Sequence, residues 1–123
     1  MGLIVDIVED DDAVRDSLRA LLEAYGFTVH EYPCAAPYLE RTSPTPSDCL
    51  IVDHHMPGMT GLELVEMLRA RDIRIPAILV TGRDDPQLVK RMERAGIAKL
   101  FRKPIDDEHL VHWIEETCKP HAP

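Results

Sequence analysis

The stretch Cys49-Leu50-Ile51-Val52-Asp53-His54-His55-Met56-Pro57-Gly58 runs apolar, stops at an aspartate and turns at a Pro-Gly pair. A short apolar run bounded by turn residues reads as a strand buried on both faces, the kind found inside parallel sheets. Asp53 then stands at the carboxyl end of that strand, just outside which ligands bind in open α/β sheets. Two roles are open at this point. Asp53 does chemistry, or it caps the turn before Pro57-Gly58, the commonest job of an aspartate there.

Upstream, residues 3–8 read as a first strand rich in β-branched residues, interrupted by Asp6 for a reason the sequence does not supply. Glu9, Asp10, Asp11 and Asp12 follow. A helix dipole favours acidic residues in a first turn, which accounts for Asp11 and Asp12 but leaves Glu9 and Asp10 at the strand-to-helix junction. Val14, Leu18, Leu21, Leu22 and Tyr25 then recur at helical spacing as far as Gly26. Residues 27–32 alternate and read as a second strand near an edge. Residues 34–41 read as a short helix with Pro37 close to its first turn, and 42–48 as a loop rich in proline and hydroxyls.

Downstream, 60–71 is expected to be a helix with Leu62, Val65 and Leu68 or Arg69 inward. Residues 75–81 read as a strand with Pro76 where it begins. Asp84-Asp85-Pro86 opens a helix that ends at Gly96, with Leu88, Val89 and Met92 on its inner face. A short strand is expected at 98–101. A last helix runs from 106 to about 118 with Leu110, Trp113 and Ile114 inward, and 119–123 form a tail. Strict alternation of five strands and five helices implies parallel strands covered on both faces, and right-handed crossovers restrict the topology. The expected fold is α/β, a flavodoxin-like doubly wound sheet of order 2-1-3-4-5. It brings Glu9-Asp10, Asp53, Thr81 and Lys103, far apart in sequence, to one rim.

The 123 residues suit one domain with one core, and a hydrophobic content of 45% argues against disorder. No apolar run is long enough to span a membrane, and no basic-then-apolar start marks a secretory signal. Cys34, Cys49 and Cys118 lack metal-type spacing, so reduced thiols in a cytoplasmic protein are expected. A net charge of −8 argues against direct nucleic-acid contact, which needs clustered Lys and Arg.

On that rim, two carboxylates about 5 Å apart repel by about 3 kcal/mol at an effective dielectric near 20. Either one takes up a proton or a cation sits between them. Oxygen-only ligands open to solvent suit Mg²⁺, which favours a phosphate in its shell. Lys103 supplies a fixed positive charge and Thr81 a hydroxyl, so a phosphoryl group can be held next to Asp53. Carboxylates do accept phosphoryl groups, as acyl phosphates. Each residue also has a plainer role: Asp10 as a helix cap, Lys103 as a surface lysine, Thr81 as a strand-end threonine. His54 and His55 are read as loop histidines whose rings bind no metal.

Val8-Glu9-Asp10, Val52 to Gly61, Thr81-Gly82 and Lys103-Pro104, in this order and spacing, closely resemble the receiver domain of two-component response regulators. The resemblance covers essentially the whole chain, 1–123, as a single receiver domain. It implies that Asp53 accepts a phosphoryl group from a sensor histidine kinase or phosphotransfer protein. It further implies Mg²⁺ (or Mn²⁺) held by Asp10, Asp53 and the backbone carbonyl of His55, with Glu9 acting through water. Thr81 is implied as the switch hydroxyl, Lys103 as a phosphoryl contact and Pro104 as the second residue of a cis peptide.

Phosphorylation is then expected to alter the surface of helix four, strand five and helix five, through which two copies could pair. The resemblance implies a protein that catalyses only its own phosphotransfer and dephosphorylation and is otherwise no enzyme. The Thr81-Gly82 pair looks most like regulators with a helix-turn-helix output domain, none of which lies within these residues. Two positions depart from the family. Leu100 stands where an aromatic usually moves with the threonine, with Phe101 beside it. His55, two residues after Asp53, is expected to line the path of an attacking water and so tune phosphoryl lifetime.

Three other readings compete. A haloacid-dehalogenase-like phosphatase needs a second aspartate where His55 stands. A flavin-binding module would have its phosphate repelled by 9–12. A pseudo-receiver would bind partners without phosphorylation, a reading that rests mostly on Leu100.

Overall fold

The computed structural model describes residues 2–41 and 47–118. Five strands, β1 (Ile4–Val8), β2 (Thr28–Tyr32), β3 (Cys49–Asp53), β4 (Ala77–Thr81) and β5 (Lys99–Arg102), alternate with five helices, α1 (Asp12–Ala24), α2 (Ala35–Glu40), α3 (Gly61–Ala70), α4 (Pro86–Arg94) and α5 (Asp107–Thr117). All strand pairs are parallel and the order is β2-β1-β3-β4-β5. This is the expected flavodoxin-like sheet.

Every residue of β3 and β4 is buried, as continuous apolar runs in the middle of a parallel sheet require. Period-two alternation sorts their side chains into two cores. Leu50, Val52 and Leu79 pack with Tyr38 of α2, Leu62 and Val65 of α3, and Leu88 and Met92 of α4. Ile51, Ile78 and Val80 pack on the other face with Leu18 and Leu22 of α1 and Leu110 and Ile114 of α5.

Side chains start the helices where the sequence places them. Asp11 accepts from Val14 N at 3.1 Å and Asp106 from His109 N at 3.0 Å. Asp85 accepts from Gln87 N with Pro86 in the first turn, and Thr60 with Glu63 forms a capping box. Gly26, at φ +90, ends α1 in the left-handed conformation that favours glycine.

Several expectations need correction. Val89 is 43% exposed. The stripe that faces the sheet is Leu88, Met92 and Ala95, spaced i, i+4, i+7, and Val89 lies about 100° away around the helix. Tyr25 is 50% exposed because it caps α1 after the last turn, where the chain already bends toward Gly26. In α3 the inner residue is Leu68, whereas Arg69 donates to Ala95 O at 2.9 Å and Ile73 O at 2.9 Å. In α5 Val111 is buried and Trp113 only half-buried. Strand four starts at Ala77, and strand five is shifted one residue, to Lys99–Arg102.

Of the 42–48 loop, 42–46 lie outside the described residues. Ser47 and Asp48 are buried and bonded. Asp48 accepts from Ile4 N at 2.8 Å, and Ser47 Oγ donates to Asp6 at 2.7 Å. The interruption in β1 thereby acquires a cause. Asp6 is fully buried and is a hub that also accepts from Tyr38 Oη at 2.8 Å, with His30 Nδ1 at 3.4 Å and Arg41 Nη2 at 3.6 Å.

Candidate functional site

The rim formed by the carboxyl ends of β1, β3, β4 and β5 gathers the polar residues singled out above. Glu9 follows β1 directly, and its N–H bonds Tyr32 O at 3.1 Å, which continues the ladder past the last strand residue. Its carboxylate is turned inward, and the residue is only 4% exposed. Oε2 accepts from Asp11 N at 3.2 Å and Oε1 from Lys103 Nζ at 3.2 Å. Asp10, one residue on, is exposed, and its side chain makes no hydrogen bond among the described residues.

Asp53 is 4% exposed at the end of β3. It lies opposite Val80 in the ladder, and the next residue, His54, donates from its N–H to Val80 O at 2.8 Å. Gly61 lets α3 start against this corner. A Cβ there would stand 2.5 Å from Asp53 O and 2.9 Å from Leu79 Cδ1, so no other residue fits without a shift. Lys103 N donates to Thr81 O at 2.9 Å, which aims the lysine at the rim and brings Nζ to 3.4 Å from Asp53 Oδ1. The Lys103–Pro104 peptide is cis.

One carboxylate oxygen each from Glu9, Asp10 and Asp53 lies within 4.8 Å of the others. Asp53 Oδ1 is buried without a hydrogen-bond partner. Lys103 stands 3.4 Å from this oxygen, but one ammonium offsets only part of the charge of three clustered carboxylates, and a further cation would offset the rest. The donor set is oxygen only and partly open to water, which fits a hard divalent cation such as Mg²⁺. Glu9 accepts hydrogen bonds from both Lys103 and Asp11, whereas Asp53 has only the Lys103 ion pair and Asp10 no hydrogen bond among the described residues, so Asp10 and Asp53 are the carboxylates with most capacity left to bind one directly.

Burial pushes the Glu9 carboxyl up to about 7; the Asp11 N–H opposes this and neighbouring Asp53 adds to it. Burial pulls Lys103 down, but Asp53 and Glu9 outweigh it, so its pKa is raised and the ammonium stays charged.

Thr81, at the end of β4, is 1% exposed. Its Oγ1 accepts from Arg83 N at 3.2 Å, lies 3.3 Å from Arg83 O and 3.1 Å from His55 Nε2. Gly82 and Pro104 line a cleft of about 670 Å³ that opens on Asp53 and Lys103, walled by Val14 and Leu18 of α1 and by Ile105. Leu100 packs partly buried on the α3–α4 side, and Phe101 is buried on the opposite face, edge-on to His109 at 5.0 Å. Phe101 therefore does not take the place of an aromatic at 100. Two contacts at the rim were not anticipated. Arg15 Nη1 donates to Glu9 O at 2.7 Å from one turn inside α1, and the His55 ring reaches Thr81. No sequence spacing announces the second, because the direction of a loop ring is set only by tertiary structure.

The chain belongs to the response regulator receiver domain family of two-component systems, whose pattern matches residues 5–115. It is 38% identical over 110 residues to the transcriptional regulatory protein FixJ of Azorhizobium caulinodans, covering 89% of this chain and 52% of that protein. Nodulation protein W of Bradyrhizobium diazoefficiens is 34% identical over 111 residues, 90% of this chain and 49% of its own. The crystal structure of FixJ-N superposes with a TM-score of 0.86 at 31% identity, covering 100% of this chain and 98% of that one. The chain spans about half the length of the curated relatives it matches.

Proposed function

We propose that the chain, read as a single receiver domain over 1–123, is a phosphoacceptor switch. A carboxylate oxygen of Asp53 attacks the phosphorus of a phosphohistidine on a sensor kinase or phosphotransfer protein. The P–N bond breaks, the acyl-phosphate O–P bond forms, and the imidazole leaves with a proton. Lys103 contacts the transferred group and offsets its charge, and the hydroxyl of Thr81 turns toward it. Asp10, Asp53 and the carbonyl of His55 hold Mg²⁺ or Mn²⁺, with Glu9 acting through water. The ion supplies positive charge to the phosphoryl oxygens.

Phosphorylation then shifts the equilibrium of a surface made by α4, β5 and α5, where partners or a second copy dock. The cleft between α1 and Ile105 gives the phosphodonor an apolar approach to Asp53. Among the described residues no helix is long and apolar enough to cross a membrane, and the domain works in the cytoplasm. It promotes its own phosphorylation and dephosphorylation and turns over no separate substrate. The relatives named as transcriptional regulators are about twice as long; this domain's own contacts are with protein rather than DNA, in keeping with its net charge of −8.

The observation that carries this reading is the buried Oδ1 of Asp53, ion-paired with Lys103 at 3.4 Å but without a hydrogen bond and clustered with two further carboxylates. Incubation with Mg²⁺ and acetyl phosphate is expected to add one phosphoryl group, stable to acid and labile to base. An adduct that persists in Asp53→Asn rejects the assignment. The alternative, partner binding without phosphorylation, draws mostly on Leu100, and an intact adduct removes it.

A further inference from the structure

Thr81 Oγ1 has one proton to give and two lone pairs to receive. The Arg83 N–H occupies one lone pair at 3.2 Å. If His55 Nε2 carries a hydrogen it donates to the second, and the Thr81 proton goes to Arg83 O at 3.3 Å. If Nε2 is bare, the Thr81 proton goes to the imidazole. In either tautomer the hydroxyl's proton is committed to His55 or Arg83, and Asp53 Oδ1 receives nothing from it.

The imidazole is well placed for this. Asp53 lies opposite Val80 in the ladder, and the His54 N–H bond to Val80 O draws the following loop along the end of β4. The His55 ring packs edge-on against His54, with centroids 5.0 Å apart and planes at 71°. His54 is itself half-buried. The His55 ring is thereby braced against His54, although it is otherwise exposed.

We propose that His55 is a positioning residue whose imidazole holds the Thr81 hydroxyl in the unphosphorylated arrangement. This rests on the phosphoacceptor reading above, in which Thr81 turns toward a group on Asp53. That turn breaks the His55 contact, so His55 opposes switching and sets how much of the phosphorylated arrangement exists before any phosphoryl group arrives. The side chain acts through Thr81, independently of the His55 carbonyl, which any substitution retains.

The test is the affinity for beryllofluoride with Mg²⁺, measured by calorimetry on the parent, His55→Ala, Thr81→Ala and the double variant. Loss of one hydrogen bond that exists only in the resting arrangement is expected to tighten binding by about twofold to tenfold in His55→Ala. The same substitution is expected to change nothing in the Thr81→Ala background. The Thr81 methyl resonance of unliganded His55→Ala is also expected to move toward its beryllofluoride-bound position.

Unchanged or weaker binding by His55→Ala, an equal gain without the Thr81 hydroxyl, or an unmoved methyl resonance overturns the proposal. A parent protein that takes up no beryllofluoride at all overturns the phosphoacceptor reading, and this inference with it.

Discussion

At the scale of single residues, Glu9 shows how burial and charge set a measurable pH dependence. Its carboxyl rises from 4.5 to about 7 on folding, chiefly because it leaves water. The folded metal-free protein therefore binds a proton that the unfolded chain has released between these values. The associated stability is fully present below pH 4.5 and is lost as pH rises through about 7. Glu9→Gln is neutral at every pH, so without metal it is expected to resist urea better than the parent at about pH 8, the gap closing toward about pH 5. Urea midpoints at the two pH values check this, and a variant no more stable at the higher pH contradicts it. Because a bound cation requires the ionised carboxylate, Mg²⁺ affinity is expected to rise with pH up to the same midpoint and then level off.

At the scale of elements, α2 is six residues long, too short to be stable by itself, and the buried Asp6 ties it to the sheet. Tyr38 Oη donates to Asp6, Arg41 Nη2 donates to Tyr38 Oη at 2.9 Å, and the Arg41 guanidinium stands 4.3 Å from the Tyr38 ring centre. Burial, with Asp6 beside it, drives the Tyr38 hydroxyl well above its ordinary pKa, so it stays a donor. Removing the carboxylate leaves two buried hydroxyls without their acceptor and the Arg41 guanidinium without its ion-pair partner. Asp6→Ala is expected to cost about 3 kcal/mol in urea denaturation, and a loss under about 1 kcal/mol would show that the hub is not what holds α2.

This network was invisible in the sequence, because Asp6 meets Tyr38 across 32 positions and Ser47 across 41. The helix starts, by contrast, were legible, since Asp11, Thr60, Asp85 and Asp106 bond backbone N–H groups two or three residues ahead. Inner faces were legible only where the apolar stripe is unambiguous. Leu88-Val89 offers two registers on a nine-residue helix, and packing alone selects Leu88. At the start of α3 the constraint is steric. Gly61→Ala must displace either the helix or the Asp53 carbonyl, with an expected loss of about 1–3 kcal/mol. Slower phosphorylation of Asp53 should accompany it, read from the rate of adduct formation by mass spectrometry.

For the whole molecule, the strand ends that hold Asp10, Asp53, Thr81 and Lys103 converge because of sheet order, and that order was readable from the strict alternation of strands and helices. What a sequence cannot separate is a specific cation site from the diffuse pull of a chain with net charge −8, since both bind Mg²⁺ and both stabilise the fold. The geometry supplies variants that separate them. Asp10 and Asp53 belong to the cluster within 4.8 Å, whereas Asp12 is exposed on α1 and paired with Arg15. Mg²⁺ at one hundred times its dissociation constant is expected to add about 2.7 kcal/mol, which is several degrees in Tm for a domain of this size. Asp10→Asn and Asp53→Asn should abolish most of that gain, whereas Asp12→Asn, with the same change in net charge, should keep it. Thermal scans of the four proteins with Mg²⁺, and with NaCl at matched ionic strength, decide the matter. Equal shifts in all four, or shifts that NaCl reproduces, would mean that the ion answers only to the overall charge and that the three carboxylates at the rim do not form a site.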